Sequence, residues 1–252
     1  MGRLRIPRVT ALVRWIESIG GLSRQGVIAT SRWVQDHPLP STSQQALWLV
    51  PASALIGVGV ASLSAAGLGL SPFDVWLSAI AERSPLSFGQ AAWVTSGALF
   101  LIAALFRVRP TVRSLSFILL NGLMIDLARS IIVGPDPLAG RLLVGLGGWI
   151  ALVSGVAIVV QKGAAGGPFE SMMQVAERHG RRPLLVRSLL EIGFFVAGLI
   201  LGGAFGPMTI VIAFGMGPAI GTGLQALDDH RVGRELRLSG SGQPPEAPPG
   251  RR

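Results

Sequence analysis

The chain has 252 residues, half of them hydrophobic and only 14% charged, with a formal net charge of +9 and a mean hydropathy of +0.55. A soluble domain usually carries about 25% charged residues, so this composition points to a bilayer environment. The arginines lie between apolar segments rather than on one polar domain, which argues against nucleic acid as a partner. The lack of cysteine removes disulfides, thiolate metal sites and cysteine nucleophiles together.

Residues 1–46 form a basic, intermittently apolar segment. Val9, Leu12, Val13, Ile16 and Ile19 follow helical spacing with Trp15 and Trp33 nearby, the pattern of a cytoplasmic helix held at the headgroups. No cleavable signal peptide is expected, because the basic start is not followed by a continuous apolar core. Six stretches are then long and apolar enough for the roughly 20 helical residues that cross a bilayer core. They cover residues 47–68, 88–106, 115–133, 142–160, 185–201 and 208–227. Residues 228–252 are basic and end in a Ser, Gly and Pro-rich run that predicts a partly disordered tail.

A short phrase occurs twice in this framework. Residues 69–74 read Gly-Leu-Ser-Pro-Phe-Asp and residues 166–170 read Gly-Gly-Pro-Phe-Glu. Pro72 maps onto Pro168, Phe73 onto Phe169 and the carboxylate of Asp74 onto that of Glu170, an offset of 96. Self-similarity at a fixed offset is a fold-level signal. It divides the chain into a first repeat, residues 47–133, and a second, residues 134–227. Each phrase reads as a helix start: Ser71 or Gly167 at the cap, proline at the first position, and an acid in the first turn. Each following helix is too short to span.

Six spans place nineteen of the 22 basic residues on one face and leave Arg83, Arg129 and Arg141 on the other. The positive-inside rule then gives cytoplasmic N- and C-termini. With three spans per repeat, the second repeat must be inverted relative to the first. The expected fold is an all-α polytopic protein of six transmembrane helices, arranged as two inverted three-helix repeats with a half-helix in each. Secondary transporters share that plan.

The candidate polar groups follow from placement. Asp74 and Glu170 sit at the half-helix starts, beside Ser71, Pro72, Phe73 and Gly167, Pro168, Phe169. Asn121, Asp126 and Arg129 lie in the third apolar stretch, where an acid near mid-bilayer should face protein or water rather than lipid. Arg187 and Glu191 are four apart on the fifth stretch and can pair. Ala54, Gly57, Ala61 and Ala65, and likewise Gly145, Gly148, Ala151 and Gly155, read as helix contact stripes. Three scattered histidines (His37, His179, His230) have no ligand spacing, and no nucleophile–base pair is visible. No metal, cofactor or catalysis is therefore expected. The partners expected are the lipid bilayer and an unidentified small solute or ion, with homo-oligomerisation left open. A non-transporting factor that assists a partner complex is the alternative.

The run Gly-Leu-Gly-Leu-Ser-Pro-Phe-Asp-Val-Trp at residues 67–76, with Asn-Gly-Leu-Met-Ile-Asp at 121–126 and Gly-Pro-Ala-Ile-Gly at 217–221, resembles the YczE/YyaS/YitT family of bacterial integral membrane proteins. The similarity covers roughly residues 47–227. It implies a multi-span inner-membrane protein and supplies neither substrate nor cofactor. Phe73 stands where relatives often carry tryptophan.

Overall fold

Hydroxyl side chains placed just ahead of apolar runs set the helix starts. In the computed structural model, which describes residues 42–162 and 166–216 together with 219, 220 and 222, all the described regular structure is helical. The N-terminal segment, most of the tail and part of the sixth apolar stretch lie outside the described residues.

Among the described residues eight helices follow in order: α1 (Thr42–Ala66), α2 (Pro72–Arg83), α3 (Phe88–Leu105), α4 (Val112–Ile131), α5 (Leu138–Lys162), α6 (Pro168–Arg178), α7 (Pro183–Ile200) and α8 (Pro207–Met216). The side chains of Ser71, Ser87 and Thr111 accept from the amides of Asp74, Gln90 and Ser114, satisfying first-turn donors of α2, α3 and α4. Among the described residues α1, α3, α4 and α5 are long and apolar enough to cross a bilayer. The 18-residue α7 carries no charged residue apart from Arg187 and Glu191.

The helix boundaries repeat with the sequence. Both α1 and α5 have 25 residues, and Thr42 to Leu138 and Ala66 to Lys162 are each 96 positions. Both α3 and α7 have 18 residues, offset by 95. Their ends are built alike. After α3, Arg107 takes a positive φ of 62° and Val108 N donates to Ala103 O at 2.9 Å. After α7, Gly202 takes φ 72° and Gly203 N donates to Gly198 O at 2.8 Å. This is the left-handed helix stop in which the chain turns back on its last carbonyls.

Small residues let the long helices approach closely. A Cβ on Gly59 would stand 2.7 Å from Leu152 N, and one on Gly155 2.7 Å from Ile56 Cγ1. These two contacts exchange under the 96-residue offset. Later residues of α1 meet earlier residues of α5, so the two helices run antiparallel. Gly57 meets the backbone of Met124 and Ile125, while Ser64, further along, meets Arg129; α1 and α4 therefore run parallel. Gly89 faces Gly122 and Asp126, and Trp93 reaches back to the Ile118 carbonyl at 3.1 Å, so α3 and α4 are antiparallel. Gly57, Gly145, Gly148 and Gly155 thus act as the contact points their spacing predicts, and Gly59 adds one that spacing did not single out. In the interior, Ile56, Leu63, Leu70, Val75 and Leu77 are buried in one core. Leu119, Leu123 and Leu127 on α4, and Leu142, Leu146 and Ile150 on α5, stay exposed on the outer face.

The short helices pack across the two halves. α2 packs mainly on α7 of the second half, and α6 packs both on α3 of the first half and on α7 of its own. The connection before α2 also pairs with the one before α8: Leu70 N donates to Ala204 O at 3.2 Å, and Met208 N to Leu68 O at 2.9 Å.

Candidate functional site: the junction of the two short helices

Pro72 and Pro168 fix the first turns of α2 and α6, and each turn carries a phenylalanine followed by an acid. The two phenylalanines meet. Their ring centroids are 5.1 Å apart, edge to face, and Phe194 of α7 closes a triangle at 5.3 Å from Phe73 and 6.1 Å from Phe169. Trp76 lies 5.6 Å from Phe194, and its Nε1 donates to Thr95 Oγ1 of α3 at 3.1 Å. Edge-to-face pairs add about 0.5–1.5 kcal/mol each beyond area burial, so the cluster fixes where the two N-termini meet.

The acids have different surroundings. Asp74 is only 8% exposed; Ser71 Oγ donates to its Oδ2 at 2.6 Å, and the Asp74 amide donates back to Ser71 Oγ at 3.3 Å. Burial pushes the Asp74 carboxyl up to about 6, while the Ser71 hydrogen bond pulls the other way. α2 lies outside the four candidate spans. Glu170 is exposed. Its Oε2 accepts from Gly167 N at 2.9 Å and its Oε1 from Arg187 Nη1 at 3.2 Å. Arg187 also donates from Nε to Glu191 at 3.0 Å, so the expected Arg187–Glu191 pair forms and is extended by Glu170 into a triad.

The third-stretch group sits elsewhere on α4. Asp126 accepts from Gly89 N at 2.8 Å and from Ser87 Oγ, which makes it a cap for the N-terminus of α3. Arg129 donates to Ser64 Oγ on α1, with its guanidinium carbon 4.9 Å from the Phe88 ring centroid. None of these bonds joins Asp126 or Arg129 to the phenylalanine junction. Among the described residues the Oδ1 of Asn121 is buried without a hydrogen-bond partner, as is Ser53 Oγ on α1, one turn before the Gly57 contact with α4. Two members of the junction were not singled out from sequence. Phe194 stands in an apolar run where one more aromatic carries no signal. Ser78 lies four residues after Asp74, accepts from Ala204 N at 2.8 Å and donates to Val75 O at 2.9 Å. The side-chain clusters described contain no group of three His, Asp or Glu residues able to hold a metal ion among the described residues.

Apolar helices of spanning length, with Asp74 and several serines and threonines buried and many leucines exposed, define a polytopic helical membrane protein. The chain belongs to the family described as "Family of unknown function (DUF6198)", whose model matches residues 43–224. It is 26% identical over 200 residues to an uncharacterized protein of Haemophilus influenzae, covering 79% of this chain and 89% of the relative. It is 27% identical over 162 residues to the uncharacterized membrane protein YczE of Bacillus subtilis, covering 63% of this chain and 75% of the relative. The sequence resemblance to YczE-type proteins is thereby borne out. No solved structure matches the chain.

Proposed function

We propose that the protein is a six-span transporter or channel-like protein for a small solute or ion, built from two inverted repeats with cytoplasmic termini in a bacterial inner membrane. The observation that carries this reading is the head-to-head meeting of α2 and α6 inside a bundle of longer helices, through equivalent residues Phe73 and Phe169. At 12 and 11 residues these helices reach only about half of a bilayer core. Short broken elements at matching places in two inverted halves are where secondary transporters build their sites. The antiparallel α1 and α5, the parallel α1 and α4, and the packing of α2 and α6 against the opposite halves support an odd number of crossings per half. On this reading α7 and α8 complete the second set of three spans, and Asp74, Glu170 and Asn121 supply polar groups along the route, with Asp126 and Arg129 shaping it from α4. The reading assigns no catalysis and no cofactor.

Glu82 and Glu177, equivalent and exposed near the ends of α2 and α6, are the places to test it. With no native cysteine to interfere, single cysteines there are treated in intact cells with a membrane-impermeant maleimide. The expected outcome is label on Glu82→Cys in intact cells and on Glu177→Cys only after lysis. Labelling of both from one face would sink the inverted arrangement and favour a membrane factor that serves a partner complex.

A further inference from the structure

We infer that the Phe73–Phe169–Phe194 triangle is the closed barrier of the permeation route, and that what it holds back is a cation. The inference rests on the transport reading and adds to it a gate and a charge class. The triangle joins three ring edges and faces from α2, α6 and α7 within centroid distances of 5.1 to 6.1 Å, and no polar atom belongs to any of its side chains. An apolar constriction of this kind stops ions by excluding their hydration water. Both copies of the repeated phrase touch here through equivalent side chains, so relative movement of the halves must change it.

The charge class follows from what flanks the rings. Successive side chains on a helix point about 100° apart, so each acid is turned away from the phenylalanine before it. A carboxylate therefore stands beside each of the two touching rings, one from each copy of the phrase. A helix N-terminus ordinarily favours an anion. Here the chain's own groups take that place: Glu170 Oε2 accepts from Gly167 N, and Ser71 Oγ accepts from Asp74 N while donating to Asp74 Oδ2. An anion arriving at either end would meet a carboxylate in the first turn. On the α6 side Arg187 is shared between two carboxylates, Glu170 and Glu191.

The two halves themselves suggest the variants. The position equivalent to Phe194 in the first half is Leu99, buried on α3, so Phe194→Leu writes a residue the fold already accommodates into the barrier. Full-length protein is reconstituted into phosphatidylethanolamine/phosphatidylglycerol vesicles loaded with potassium chloride, a protonophore is added so that proton flux balances the charge, and efflux of K+ and of chloride is followed with ion-selective electrodes. Phe194→Ala, eluting as a monodisperse species, should release K+ about tenfold faster than wild type, with chloride rising far less. Phe194→Leu should leak at an intermediate rate, and adding Asp74→Asn to Phe194→Ala should lower the K+ leak. Should Phe194→Ala fail to fold, Phe194→Leu carries the same test. Folded variants that hold K+ as tightly as wild type would overturn the barrier, and chloride efflux equal to that of K+ would overturn the charge class. Tight vesicles combined with opposite-face labelling at positions 82 and 177 would sink this inference alone, whereas same-face labelling would sink the transport reading beneath it.

Discussion

α2 meets α7 at backbone distance: a Cβ on Gly198 would stand 2.7 Å from the Trp76 amide nitrogen, and one on Gly203 would overlap the Val75 carbonyl. α6 meets α3 through side chains instead, with Val175 against Ala103 and Val108 in a small satellite core. Gly198 and Gly203 are the equivalents of Ala103 and Val108. One phrase thus starts two similar helices, and the residues of the receiving helix decide how deeply each is seated. The deeper seat buries Val75 completely and Asp74 almost so, whereas the shallower one leaves Glu170 exposed and paired with Arg187. Even the C-terminal ends reach across the halves. Arg178 Nη1 donates to the Arg107 carbonyl at 2.9 Å, and the Arg83 guanidinium lies beside Gly202.

The comparison breaks most visibly if the receiving residues are swapped. Gly203→Val places the first half's residue in the second and drives its side chain into the Val75 carbonyl. It should cost about 3 kcal/mol or more, read as a large fall in the thermal transition of detergent-purified protein. An unchanged transition would mean that α2 is not seated as described. The converse, Val108→Gly, removes packing without a clash and should cost about 1–3 kcal/mol, less than its counterpart.

The acids should respond with opposite signs. Asp74 has a folded-state value of about 6 against an ordinary 3.8, so its protonated form contributes stability that is fully present below pH 3.8 and lost as the pH rises through 6. Asp74→Asn avoids the buried charge. It should raise the transition at pH 8 by the equivalent of about 1–2 kcal/mol and change little at pH 4. A loss of stability at pH 8 would place a positive partner near Asp74. The smallest effect is expected from Glu170→Gln, which removes an exposed ion pair and should lower stability by less than about 1 kcal/mol, more at low salt than at high.

Much of the framework was legible before any coordinates. The stretch at 88–106 corresponds to α3 at Phe88–Leu105, and the cap sequence Ser71-Pro72-Phe73-Asp74 starts a helix at Pro72 as its chemistry requires. Ends were less legible: α1 begins five residues before its apolar stretch and α5 four before, since polar or small residues continue a helix without adding hydrophobicity. The candidate site was partly legible. Asp126 reads as an acid stranded in an apolar run, because the Gly89 amide and Ser87 hydroxyl that receive it lie nearly 40 positions away. Phe194 gave no signal at all.

The sequence by itself determined an all-helical membrane chain, the repeat and its offset, the two short helices and the chemistry of their first turns. Those properties are local: hydrophobic length, cap residues and fixed spacing act within a few turns of chain. Only the tertiary structure decided that Phe73 and Phe169 touch, that α2 and α6 each pack against the other half, and that Asp74 is buried while Glu170 is not. Such contacts depend on which small residues let distant backbones approach, and an apolar pattern does not record which helix will be the neighbour.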